Sequence, residues 1–109
     1  MITLTGFKSF DIRVGTIISC EDFTKARNKS YKLQIDFGSL GIKKSSAQIT
    51  ALYTKEELIG RQIISIVNFP SKQVADYVSE CLILGVYIND SDVVLLSADK
   101  KMNNGDRIG

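Results

Sequence analysis

Alternation of apolar and polar residues with a period of two runs through most of this chain and predicts strands. Ile12, Val14, Ile18 and Cys20 recur with Arg13, Gly15 and Ser19 between them, the pattern of a strand with one buried face. Gly15 marks a place for a bend or bulge, as a small curled sheet needs. Leu33, Ile35 and Phe37 alternate with Lys32, Gln34 and Asp36 to give a second strand. Gly38-Ser39-Leu40-Gly41 reads as a turn, and a third strand is expected over residues 43–50. In Thr54-Lys55-Glu56-Glu57 the Thr54 hydroxyl can accept from the Glu57 N–H while the Glu57 side chain reaches back, a capping box. A short helix over about residues 54–59 follows, with Gly60 as its stop. Residues 61–69 are apolar and isoleucine-rich, a buried fourth strand that Pro70 ends.

Beyond Pro70, residues 71–77 read as a short helical turn and residues 80–88 as a fifth strand. That strand is apolar on both faces, with Leu82, Leu84, Val86 and Ile88 on one and Cys81, Ile83 and Tyr87 on the other. Asp90-Ser91-Asp92 is a turn, residues 93–96 a further strand, and Asn103-Asn104-Gly105-Asp106 a tail turn. Three strands, a helix, then more strands is the order of an all-β, five-stranded Greek-key barrel, the OB-fold, with the short helix between strands 3 and 4 and extra terminal strands. An SH3-like barrel or small sandwich would not place a helix there. A small barrel has one inside, so a strand with two apolar faces needs a second cover. A homodimer packed through the C-terminal strands is the expectation. The alternative is a lid from Phe7-Lys8-Ser9-Phe10 of the same chain.

At 109 residues with 44% apolar content the chain reads as one domain, residues 1–109, with a modest core. The first residues lack a basic segment followed by an apolar run, and no apolar stretch approaches the ~20 residues that span a bilayer, so a cytoplasmic protein without membrane insertion is expected. Cys20 and Cys81 lie far apart in apolar segments and read as buried thiols. With no histidine, two isolated thiols make no structural metal site, and the commonest general acid–base group is missing. No GxSxG, phosphate-loop or GxGxxG pattern is present, so neither an enzyme nor a cofactor is expected. Net charge is only +2, yet residues 23–75 hold nine Lys/Arg against three Asp/Glu, while residues 76–109 hold three against six. Such segregation lets a nearly neutral protein present one basic face to a phosphate backbone. The plainer alternative is a solvated surface whose charges are uneven only in sequence.

Phe10-Asp11-Ile12-Arg13-Val14-Gly15-Thr16-Ile17 resembles the entry of the tRNA-binding OB domain found at the C-terminus of many methionyl-tRNA synthetases. Ile35-Asp36-Phe37-Gly38, the run from Gly41 to Thr50, Val67-Asn68-Phe69-Pro70 and Asp92-Val93-Val94-Leu95-Leu96 resemble its CsaA subgroup. The resemblance covers nearly the whole chain. It implies a tRNA binder or a homodimeric chaperone linked to protein secretion, with tRNA, unfolded preproteins or the export machinery as partners. Asn68-Phe69, Lys72 and Ser79 match the family's pattern. Leu82 stands in the place of a methionine, and Asp76 replaces a usual glycine and is expected beside the phosphate path.

The candidate RNA-binding residues divide by chemistry. Lys43, Lys44 and Lys72 would neutralise phosphates, releasing counterions so that binding weakens with salt. Arg27 and Lys29 lie on the loop between strands 1 and 2, where OB-folds commonly bind. Ser45, Ser46, Gln48, Asn68 and Ser79 could hydrogen-bond sugars or phosphates and so position a backbone without reading sequence. Asn68 could instead tie down the turn at Pro70. Phe69 and Tyr77 are the stacking candidates, but few aromatic platforms favour recognition of a folded RNA by shape. A chaperone holding unfolded polypeptide is the competing function, since the fifth strand could supply an apolar patch.

Overall fold

In the computed structural model, which describes residues 1–90 and 92–109, a five-stranded antiparallel sheet curls into a nearly closed OB-fold barrel. Its strands are β1 (Ile12–Asp22), β2 (Tyr31–Asp36), β3 (Ile42–Ala47), β4 (Gln62–Ile66) and, after a hairpin of β5 (Lys72–Val74) and β6 (Tyr77–Ser79), β7 (Leu82–Ile83). The spatial order is β3-β2-β1-β4-β7. A second hairpin, β8 (Gly85–Tyr87) and β9 (Val93–Leu95), follows. Helix α1 (Leu4–Lys8) precedes the barrel, and α2 (Lys55–Leu58) lies between β3 and β4. Among the described residues no helix is long and apolar enough to cross a membrane.

The helix forms as the capping box predicts. Glu57 N–H donates to Thr54 Oγ1 at 3.3 Å and Thr54 N–H to Glu57 Oε1 at 2.7 Å. Gly60 turns the chain out with a φ of 88°. Leu58 on its inner side is fully buried among Ile17, Leu33, Ile35, Phe37 and Ile63.

Five expectations need correction. The buried face of the first strand does not run through Ile18: the register slips between Ile17 and Ser19, so Ile17 is fully buried and Ile18 is 40% exposed. The bulge lies three residues past Gly15, because β1 must change partners there, from β4 over Ile12–Thr16 to β2 over Thr16–Asp22. The third strand ends at Ala47 rather than at residue 50. Residues 71–77 form no helical turn: Lys72, Val74, Tyr77 and Ser79 alternate across a two-residue hairpin turn in which Ala75 takes a φ of 52°. The expected strand over residues 80–88 is broken at Leu84, whose N–H still bonds Ile64, while Gly85 packs directly on Val93 and Val94 and pairs with β9 instead of β4. Of the Asp90–Asp92 turn, Ser91 lies outside the described residues.

The segment between β6 and β7 closes the barrel. Glu80 N–H donates to the Lys44 carbonyl at 2.7 Å, and the Lys44 N–H to Glu80 Oε1 at 2.8 Å. Two buried serines hold the same seam. Ser45 Oγ donates to the Cys81 carbonyl at 3.0 Å and Ser65 Oγ to the Leu82 carbonyl at 2.9 Å. The tail turn at Asn103–Asp106 docks against β1, where the Val14 N–H donates to the Asp106 carbonyl at 2.9 Å and the Gly105 N–H to the Val14 carbonyl at 2.8 Å. The Phe7–Phe10 segment does not act as a lid. Its Ser9 carbonyl accepts from Asn68 and its Lys8 carbonyl from Arg107, and Leu82, Val86, Tyr87 and Ile88 stay exposed in the single chain.

Gly15 tests the packing directly. A Cβ there would sit 2.6 Å from Ile35 Cγ2 and 2.6 Å from the Phe37 ring, both fully buried and unable to retreat. Gly15→Ala is expected to cost about 1–3 kcal/mol through overpacking, read as a lower urea midpoint with unchanged slope.

Candidate nucleic-acid interface

The register of β2 against β3 decides which polar residues share a face. Lys32 lies opposite Ser46 and Gln34 opposite Lys44, whereas Leu33 lies opposite Ser45 and Ile35 opposite Lys43. Side chains alternate along a strand, so Lys32, Gln34, Lys44 and Ser46 share the outer face. Lys43 and Lys44 therefore leave the strand in opposite directions. Lys43 takes the same side as Ser45, and its charge is felt at the buried Cys81 thiol.

The outer face is organised around Tyr77 on β6. Its hydroxyl donates to the Leu33 carbonyl at 2.9 Å, laying the ring across β2. Phe23 meets it edge-on, with centroids 5.7 Å apart. Lys32 Nζ lies 5.6 Å from the Tyr77 centroid and Lys44 Nζ 5.2 Å from it, distances at which ammonium and ring attract. Burial, then the negative charges of Glu21 and Glu80, push the Tyr77 hydroxyl up from its ordinary value, so it remains a neutral donor. Both ammoniums already engage the ring, which makes Tyr77 a mount for cations rather than an open stacking platform. Phe69 is exposed and lines a small pocket with Pro70 and Leu82.

Two carboxylates enter this face. Lys25, on the loop between β1 and β2, pairs with Asp76 at 3.0 Å, and Lys32 lies 3.9 Å from Glu21. Among the described residues Arg27, Lys29, Lys43, Lys44 and Lys72 stand in no ion pair. Arg27 and Lys29 are exposed on the same loop as Lys25. Lys25 and Lys32 escaped the sequence reading. Lys32 was legible in the alternation with Leu33 and Ile35, whereas Lys25 depends on a loop conformation that no pattern encodes.

Beside this face runs a groove of about 640 Å³. Ser46, Gln48, Lys72 and Ser79 supply its polar wall, and Ile49, Val74, Leu84, Val93 and Leu95 its apolar one. Lys72 and Ser79 stand opposite each other across the β5–β6 hairpin. The structure thus brings Lys44, Ser46, Gln48, Lys72 and Ser79 to one side. The Ser79 hydroxyl, however, turns to the barrel seam, 3.3 Å from the Cys81 carbonyl and 3.4 Å from Ser45 Oγ, and two further predicted residues serve the fold itself. Ser45 is buried with its hydroxyl in the barrel seam. Asn68 accepts from the Asp11 N–H at 3.0 Å and donates to the Ser9 carbonyl at 2.8 Å, tying down the entry to β1 rather than the Pro70 turn.

The family model described as "Putative tRNA binding domain" matches residues 12–107. The chain belongs to this tRNA-binding domain family. Among solved structures, the chaperone CsaA of Bacillus anthracis str. Ames is 47% identical with a TM-score of 0.96, covering 100% of this chain and 99% of that one. The CsaA chaperone protein of Picrophilus torridus is 49% identical with a TM-score of 0.92, covering 100% of both chains. Methionine–tRNA ligase of Bdellovibrio bacteriovorus is 32% identical over 98% of this chain, which spans 15% of that protein's length.

The thiols in this family member are poorly suited to nucleophilic work. Burial is the main cause that pushes Cys20 up to about 11, and it raises Cys81 as well. Because the thiolate is the reactive form, native Cys20 is expected to resist iodoacetamide at pH 8 and to react only as pH rises past 10, while the unfolded chain is labelled readily. Mass spectrometry of alkylated protein across that pH range checks this.

Proposed function

We propose that this chain binds tRNA without catalysis, through the outer face of β2 and β3, the loop of residues 23–30 and the β5–β6 hairpin. One observation carries the reading: Lys32 and Lys44 are gathered over the Tyr77 ring, beside a hairpin that presents Lys72. Arg27, Lys29, Lys44 and Lys72 supply charge for phosphates. Ser46, Gln48 and Ser79 supply neutral donors, and Lys43 contributes from the barrel's other side only where the RNA wraps around it. A face of cations with its aromatic ring already engaged suits the shape and backbone of a folded RNA better than unstacked bases. Membership in the tRNA-binding domain family supports the same ligand.

A second reading is favoured by the groove. Its apolar wall and the CsaA chaperones at 47% and 49% identity support a holdase for unfolded or pre-export polypeptide, acting with the export machinery in the cytoplasm. Exposed Leu82, Val86, Tyr87 and Ile88 fit a homodimer, which would bury them.

Filter binding on tRNA separates these readings. Tight binding at low salt that weakens steeply with added salt is expected, and Lys44→Ala with Lys72→Ala should lower affinity about tenfold or more through lost phosphate contacts. Absence of binding at low salt, beside clear suppression of client aggregation, would reverse the order. Light scattering at micromolar concentration is expected to give twice the chain mass of 12.1 kDa; a monomeric mass removes the dimer.

A further inference from the structure

Asp76 sits at the tip of the β5–β6 hairpin, facing the loop of residues 23–30. Its Oδ2 lies 3.0 Å from Lys25 Nζ, with 53% of the Asp76 side chain and 70% of the Lys25 side chain exposed. The hydrogen bond from Lys25, then the charges of Lys25 and Lys32, hold its carboxyl below the ordinary value, so the group is an anion wherever the protein meets RNA. The tip is not relaxed backbone. Ala75 holds a φ of 52°, the left-handed region that a side chain with a Cβ disfavours, and its carbonyl is capped by Gln73 Nε2 at 3.1 Å. The hairpin therefore carries one carboxylate into a setting made of Lys25, Lys32 and, through Tyr77, Lys44.

We propose that Asp76 is an internal stand-in for a ligand phosphate, holding Lys25 in the free protein and yielding it to the backbone of bound RNA. The inference rests on the nucleic-acid reading above and names the residue that sets its affinity. An exposed ion pair is held weakly, and a phosphate oxygen offers the same ammonium an equivalent partner. The competing role is a strut, in which the pair only pins the loop to the hairpin. The two differ in sign. Removing a competitor frees a cation and strengthens binding, whereas removing a strut loosens the loop and weakens it.

The test uses the full chain and end-labelled mixed tRNA, with anisotropy titrations at several salt concentrations. Asp76→Asn keeps the side-chain volume and removes the charge. It is expected to bind about threefold or more tighter near 50 mM salt, because Lys25 no longer has to leave a carboxylate before it meets a phosphate, with the log–log salt slope nearly unchanged because the number of phosphate contacts is the same. Lys25→Ala in the Asp76→Asn background should erase the gain. Equal or weaker binding by Asp76→Asn overturns the proposal, and so does a gain that survives loss of Lys25, since that gain would reflect net charge alone. Thermal melts of each variant verify that the fold is intact. Wild-type binding without an Asp76→Asn gain removes this inference and leaves the tRNA reading standing. Failure of both proteins to bind removes both, and binding by Asp76→Asn alone also removes both, since the native carboxylate then never yields Lys25 to RNA.

Discussion

The closing seam of the barrel is the constraint on which the rest depends. Residues 80–83 cross between β3 and β4, held by a chain of hydrogen bonds: the Glu80 N–H to the Lys44 carbonyl, the Lys44 N–H to the Glu80 carboxylate, and two buried hydroxyls to successive carbonyls. A buried donor left without a partner costs about 1–3 kcal/mol, so Ser45 and Ser65 are fixed by the backbone they serve. The seam also sets the β5–β6 hairpin beside the outer face of β2 and β3. Tyr77 reaches the Leu33 carbonyl from the strand that ends just before the anchored Glu80. The cations of the face are arranged by that ring.

Charge on this face is concentrated but not unopposed. Lys25 and Lys32 lie within ion-pair distance of carboxylates, while among the described residues Arg27, Lys29, Lys44 and Lys72 form no ion pair. A net charge of +2 is thus compatible with a local cationic surface. Exposed pairs of this kind are worth little, so Lys25 and Lys32 are held only weakly by their carboxylates. Lys72 and Ser79 also line the groove with the apolar wall. The two ligand classes considered for the chain therefore meet on the same hairpin.

The exposed apolar residues Val86, Tyr87 and Ile88 share one topological origin. Once Leu84 breaks the fifth strand, β8 and β9 pair with each other, Val93 and Leu95 of β9 pack against the barrel core, and part of β8 is left on the outside. Val86, Tyr87 and Ile88 consequently face outward. The doubly apolar pattern of residues 80–88 correctly signalled uncovered surface, although one strand became two.

Much of the architecture was written in local pattern. The alternation of Leu33, Ile35 and Phe37, the Thr54–Glu57 capping box and the helix between strands 3 and 4 are each fixed by residues near in sequence, because side-chain periodicity and end-capping act over a few residues. The bulge at Ile18, the hairpin at Ala75 and the break at Leu84 were decided by pairing between distant segments, which overrides local preference. The site divided the same way. That lysines crowd the middle of the chain is visible in sequence. Which of them share a face is a matter of register, and one step along a strand reverses the side, so Lys43 and Lys44 part and Lys44 joins Lys32. The engagement of Ser45 and Asn68 by the fold, and of Lys25 by Asp76, needed contacts spanning 36, 57 and 51 residues of chain, and only the folded structure brings such groups together.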